Sequence, residues 1–429
     1  MSSQHPTDMS LRTDNNSWHA HLVKNHGSDE THLQVETQNI SGRELTLPSK
    51  DFYVKNINHN FTIIPPDTSI NSSFLVNGGK IEFDLSSDSF NVRSMILQMK
   101  IRNSSATTAQ RLTPIPLVID EVRLLGNGQT EIQLMTGQDI FLNEGTFKSR
   151  SQLDNESPTN NMTSNYVAFL SIAAGNTATY YLPLSDILPK DGNMDGFPLF
   201  NIKKLKLEVR FRGADCIEVD SSAGDGLPLL LDDLQLFLET THYTRAETMA
   251  LDKIYKDGIS FKYLYFHRQS FDQTLAPSTK YNFKVNSIRG LTPYMWISIH
   301  PQGASGQDLY NPASITSWID LIEWRDDSNT SQTNSHKYPG DYLKYTISSQ
   351  KLDNLFGFQC RNSYFISFGA QPYVAYHEGV NLGYSFVDDS NFEITTKASL
   401  AGGNYTIRFI VPTFALLHIT PQGQLLFEK

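Results

Sequence analysis

The chain has 429 residues with a formal net charge of −10, 39 % of them hydrophobic and 19 % charged. That length exceeds one small core and predicts two domains of roughly 150–200 residues, and the apolar content excludes a disordered chain. Aromatics at 11 %, with many Thr, Ser and Asn, favour β structure over a helical bundle, and the lack of a basic arm or stripe excludes a coat that condenses nucleic acid directly.

Residues 1–50 are polar and irregular and carry five histidines, His5, His19, His21, His26 and His32. They read as a terminal extension; His19 and His21 alone have the spacing for a weak metal chelate. The opening MSSQHPTDMSLRTDNN has no apolar core and predicts no secretory leader. Residues 51–78, with Pro65-Pro66, read as an entry segment.

The first strands are expected from residue 80. Ile81, Phe83 and Leu85 alternate with acids; Met95, Leu97, Met99 and Ile101 alternate with polar residues. Residues 117–152 carry the most information. Val118 to Leu125 reads as a strand, and Asn127-Gly128 suits a two-residue type I′ turn. Glu131 to Met135 is the return strand. The period then changes to that of a short amphipathic helix, capped by Thr136 with Asp139 three residues on, and weakened by Gly145. Strands at 166–172, 177–184, 204–212 and 229–239 follow. Leu205, Leu207, Val209 and Phe211 alternate with Lys206, Glu208, Arg210 and Arg212, so Lys206, close to Lys203 and Lys204, reads as the solvated face of a strand rather than part of a basic patch. About eight strands between 80 and 240 suit a sandwich or barrel.

Residues 241–258 are polar and predict a linker. Beyond them, strands are expected at 261–265, 281–285, 294–299, 315–324, 342–347, 363–368, 373–376, 384–387, 392–396, 405–411 and 414–419. One short helix at 349–356 would stop at Gly357. The halves echo each other at an offset of roughly 200 residues, KKLKLEVRF at 203–211 against GNYTIRFIV at 403–411, and predict a duplicated β-sandwich.

The chemical motifs are incomplete. WIDLIEW (318–324) carries Asp320 and Glu323 in a glycosidase-like pattern, but the first carboxylate, which would be the nucleophile, falls at Trp318, and a retaining mechanism needs a pair. DGNMDG (191–196) matches half a calcium loop through Asp191, Asn193 and Asp195, but Ile202 stands where a bidentate Glu belongs. His377-Glu378 lacks the second His of a zinc helix, and Gly303-Ala304-Ser305-Gly306 fits neither a hydrolase elbow nor a phosphate loop. Trp296, Trp318, Trp324, Tyr373 and Tyr376 could stack on sugars, although strand spacing favours core. Cys216 and Cys360 lack metal-ligand spacing and read as reduced structural thiols. No catalytic, cofactor or metal residue is assigned. The longest apolar run, 409–419, contains Pro412 and is too short to span a bilayer.

VIDEVRLLGNGQTEIQL with the helix at 138–150, and YYLPLSDILPKDGNMDGFPLFNIKKLKLEVRF at 180–211, resemble the first roll of double jelly-roll major capsid proteins. These are proteins of tailless icosahedral DNA viruses of the tectivirus, adenovirus and Polinton-like lineage. The resemblance rests on order, size and pattern over residues 80–429. It implies an all-β fold of two eight-stranded jelly rolls, each with a short inserted helix. The expected organisation is an extension and entry segment at 1–78, a first roll at 79–240, a linker at 241–258 and a second roll at 259–429. It implies a non-enzymatic homotrimer of pseudo-hexagonal outline in a virion shell, made in the host cytoplasm or nucleus. Implied partners are neighbouring trimers, penton and minor capsid proteins and an internal membrane beneath the shell, with no sequence-specific nucleic acid. Two other readings stand beside it: a carbohydrate- or receptor-binding β-sandwich protein, and a minor capsid protein of the same fold.

Overall fold

A computed structural model describes residues 58–428 except 86–90, 128, 149, 161–170, 190–195, 200–201, 203, 219–228, 243–257, 287, 289, 311–316, 327–335, 344–361, 369–383 and 387–389. The first half contains strands β1 (Asn58–Ile64), β2 (Gly79–Asp84), β3 (Asn91–Asn103), β4 (Ile119–Gly126), β5 (Thr130–Thr136), β6 (Thr177–Pro183), β7 (Leu205–Phe211) and β8 (Leu229–His242). They form two antiparallel sheets, in the orders β1-β8-β3-β6 and β2-β7-β4-β5. The second half repeats this with β9 (Ile259–Leu275), β10 (Lys280–Val285), β11 (Tyr294–Pro301), β12 (Ile319–Asp326), β13 (His336–Pro339), β14 (Ser363–Ser367), β15 (Ser390–Thr396) and β16 (Gly403–Ile419). Its sheets run β9-β16-β11-β14 and β10-β15-β12-β13. In each half the strands therefore pair as first-eighth-third-sixth and second-seventh-fourth-fifth. That is the jelly-roll order, in which a folded-over ribbon places the two sheets face to face.

Period-two patterning drives the sandwich. In β7 the four apolar side chains are buried, while Lys206 bridges Glu82 at 2.9 Å and Glu208 takes Lys80 at 2.9 Å on the wet side. In β3, Met95, Leu97, Met99 and Ile101 are buried. The second roll has its own aromatic core, in which Phe409 packs against Phe283 at 5.8 Å and Phe392 at 5.0 Å between ring centroids.

Several expectations shift. The entry segment contributes β1, which pairs with β8 through Ile63↔Phe237 and its neighbours. The Asn127 turn is wider than two residues, because Gly126 pairs with Thr130 across three; Asn127 adopts φ 52° as expected. Val118 belongs to a helical turn, Ile115–Val118, that precedes β4. Two helices follow β5 rather than one, α1 (Gly137–Phe147) and α2 (Arg150–Asn160). Residues 342–343, read as strand, lie in a helical turn at 340–343 directly after β13; the helix expected at 349–356 and the strand at 373–376 lie outside the described residues.

The internal echo holds as architecture, but it is displaced by one strand. Residues 205–211 are the seventh strand of the first roll, whose counterpart is 390–396. The stretch 403–411 belongs to an eighth strand that continues unbroken to Ile419 and is matched by Leu229–His242. Pro412 is tolerated because it lies beyond the part of β16 paired with β11, which ends at Ile410. A better marker of the repeat is a pair of glycines. Gly137 opens α1, and a Cβ there would lie 2.1 Å from the carbonyl oxygens of Ile119 and Pro116; at Gly340 it would lie 2.0 Å from that of Ile319. Each glycine lets the fifth strand turn into a helix against the start of the fourth.

Candidate functional site

The described surface on which most specific chemistry converges is the junction of the rolls, and α1 is its centre. Thr136 caps the helix: its Oγ1 accepts from the Asp139 amide at 3.3 Å, and the Asp139 carboxylate accepts from the Thr136 amide at 2.6 Å. The expected amphipathicity is absent, because all eleven residues of α1 are buried. The cause is position: one side of the helix packs on the first roll, the other on the second.

The second roll meets α1 with the outward face of its β9-β16-β11-β14 sheet. Arg268 of β9 donates through Nε to the fully buried Asp139 and through Nη2 to the Leu134 carbonyl at 2.6 Å. Gln138 is held from both sides, donating to Ser298 Oγ at 3.0 Å and accepting from Arg408 Nη1 at 2.5 Å. Gln133 of β5 donates to the Leu264 carbonyl at 2.6 Å, and Tyr263 OH donates to the Ile132 carbonyl at 3.2 Å. At the far end of α1, Phe147 enters a cage of Tyr294, Trp296 and Phe365, with centroids 5.1, 6.2 and 6.2 Å away. The chain end adds a clasp. Asn127 donates to the Gly423 carbonyl at 2.6 Å, ahead of strand β17 (Leu425–Glu428), which pairs with β16.

Burial sets the electrostatics here. It pushes the Glu144 carboxyl up to about 7, against the ion pair with Lys148 and with the help of Asp186 and Glu156. Lys148 also bridges Glu156 of α2 at 2.6 Å. Burial, beside Arg408 and Arg212, pulls the His300 imidazole down to about 4. Arg408 is likewise lowered by burial, with Asp139 as the opposing charge. The arrangement suits holding two domains rigidly: its polar groups face each other across the junction.

The residues weighed from sequence are placed elsewhere. Glu323 is buried in β12 and bridged to Lys337 at 2.7 Å, while Asp320 is exposed. Trp296, Trp318 and Trp324 are buried, the first in the junction and the others in the second-roll core, so none is presented to a sugar. Gly303 and Gly306, at φ 70° and 53°, form a turn into a 3-10 helix, Gly306–Leu309. Cys216 is buried, its thiol pushed up to about 12 by burial. Asp191, Asn193, Asp195, Cys360, Tyr373, Tyr376, His377, Glu378 and the five N-terminal histidines lie outside the described residues. Among the described residues no three His, Cys, Asp or Glu side chains group as metal ligands, and no helix is long and apolar enough to cross a membrane. The junction residues were missed by sequence reading; the one available signal was polar Gln138, Asp139, Asn143 and Glu144 around a helix that gains no solvent face.

No family model and no curated protein sequence matches the chain. Solved structures do. A chain of the PBCV-1 virus capsid superposes with a TM-score of 0.64 at 12 % identity, covering 88 % of this chain and 98 % of that one. The Faustovirus major capsid protein superposes with a TM-score of 0.61 at 9 % identity, covering 97 % and 100 %. PBCV-1 VP54, in a structure fitted into a reconstruction of the virophage Sputnik, gives 0.65 at 13 %, covering 88 % and 98 %.

The shared fold is the double jelly roll. The matched lengths, 88 % and 97 % of the chain, take in both rolls.

Proposed function

We propose that the chain is a viral major capsid protein, a structural subunit that assembles as homotrimers of pseudo-hexagonal outline to tile an icosahedral shell. The observation that carries this reading is two rolls of identical strand order locked side by side through a buried helix, matched over almost the whole length of capsid proteins. Two rolls per chain give six around a threefold axis, which explains a hexagonal outline from a trimer. The rolls, taken as 79–240 and 259–429 with β1 added to the first, are the structural units. Partners are neighbouring trimers, penton and minor capsid proteins and a membrane beneath the shell; residence is the virion. The subunit carries out no catalysis in this reading. Burial of Trp296, Trp318 and Trp324 takes three of the five aromatics away from a sugar-binding alternative; Tyr373 and Tyr376 lie outside the described residues.

Light scattering after size exclusion tests the proposal. A trimer has a mass of about 145 kDa, three times 48.4 kDa, and a hexagonal outline in negative stain. A protein that stays monomeric at high concentration, near 48 kDa, would refute it.

A further inference from the structure

Among the described residues, the junction inside the chain has an uncovered counterpart on the surface. In the second roll, the outward face of the β9-β16-β11-β14 sheet is crossed by a row in register: Arg268, Ile410, Trp296 and Phe365. α1 of the first roll covers that row. The equivalent sheet of the first roll is crossed by an equivalent row, Ile63, Phe237, Ile96 and Pro183. Ile96 and Trp296 both lie on the third strand of their rolls, and Phe237 and Ile410 both on the eighth. The second-roll apolar side chains are buried, whereas Ile63 is 54 % exposed, neighbouring Phe61 71 %, and Phe237, Ile96 and Pro183 stay partly open. Ion pairs rim the strip, Arg93–Glu239 at one side and Lys100–Asp233 and Arg102–Asp232 at the other. An apolar strip with a charged rim is the anatomy of an interface.

The element that would cover it is also on the surface. In the first roll the covering helix opens at Gly137; in the second, the helical turn at 340–343 opens at the equivalent Gly340. Two residues into each helix stand Asp139, fully buried against Arg268, and Tyr342, 53 % exposed.

We propose that the Ile63–Phe237–Ile96–Pro183 strip of one copy is covered by the Tyr342 helical turn of a second copy, repeating between chains the roll-on-roll contact made within the chain. This rests on the trimer reading and gives it a surface. The contact is head to tail, so each copy offers the strip on its first roll and the turn on its second. Such a contact closes into a ring when the rotation allows, and three copies make six roll-to-roll contacts, three within chains and three between them.

The test uses the full chain. Ile63→Asp and, separately, Tyr342→Asp place a charge at exposed positions, so folding, followed by circular dichroism and melting, should be retained. Each should lower the mass from about 145 to about 48 kDa. A double variant, Ile63→Cys with Tyr342→Cys in a Cys360→Ser background, should be linked between copies by a bismaleimide into species of two and three chains on a denaturing gel; each single-cysteine variant should not. A trimer that survives both aspartates and gives no such crosslink would overturn the placement while leaving the capsid reading intact. A wild-type chain that is monomeric would overturn both.

Discussion

Phe147→Ala should uncouple the two rolls. Phe147 is 4 % exposed and belongs to the first roll, but its ring partners, Tyr294, Trp296 and Phe365, all belong to the second. Truncation removes a buried aromatic and leaves a cavity between two separately folded cores, which costs about 3–5 kcal/mol. The edge-on pair with Trp296, 6.2 Å and 74°, supplies about 0.5–1.5 kcal/mol of that as direct coupling. Urea unfolding, followed by tryptophan fluorescence and circular dichroism, gives the readout. Because Trp296 lies at the junction while Trp318 and Trp324 lie in the second-roll core, the variant should show two transitions that no longer coincide. A double-mutant cycle with Trp296→Phe isolates the pair. A single unshifted transition, or a loss below about 1 kcal/mol, would refute α1 as the coupling element.

Two titrations at the junction should act in opposite directions. Glu144, raised to about 7, favours its protonated form in the folded state; its stabilising effect is full below the ordinary carboxylate range and is lost as pH rises through 7, so Glu144→Gln should flatten the decline in stability towards neutral pH. His300, lowered to about 4, is folded in its neutral form; stability is lost as pH falls from 6.5 towards 4, and His300→Gln should remove that loss. Denaturant midpoints measured from pH 4 to 8 separate the two. Gly137→Ala and Gly340→Ala should each destabilise by about 1–3 kcal/mol, since the added methyl meets backbone oxygens rather than movable side chains; thermal melting with no loss at either position would refute the steric role of these glycines.

Strand alternation was legible where one face is dry and the other wet. β3 and β7 carry that signal plainly because their polar faces are solvated or ion-paired. β1 escaped because its pattern has the opposite sense: Phe61 and Ile63 point outward while Thr62 and Ile64 are half-buried, so an edge strand with an apolar outer face looks like an irregular entry. The offset echo failed by one strand for a related reason. A period of two repeats in every strand, and LEVRF aligns with IRFIV whether or not they are the same strand of the roll. Gly137 and Gly340 specify the repeat better, because each meets a backbone oxygen that no other residue could approach. The junction was illegible because burial of Gln138 and Asp139 depends on partners 129–270 residues away in the chain, Arg268 and Arg408.

The two roll-to-roll contacts, within and between chains, need not have the same chemistry, and the residues at equivalent positions differ as physics requires. Within the chain the rolls are tethered, so the entropy of bringing them together is small and the effective concentration high. A contact built on buried polar groups, Asp139 with Arg268 and Gln138 with Arg408 and Ser298, can then be kept for the single geometry it specifies, although desolvation leaves it little net stabilisation. Between chains there is no tether, and association must offset the lost translational and rotational freedom of a whole subunit. There the equivalent of Asp139 is Tyr342, and the strip opposite holds Ile63, Phe237 and Ile96 with no charge inside its rim. Apolar area with an aromatic anchor supplies free energy without a buried counter-ion. On this account a Tyr342→Asp, Ile63→Arg pair, which transplants the intrachain ion pair to the surface contact, should restore association only weakly compared with wild type. Full recovery of the trimer mass would show that the two contacts are interchangeable.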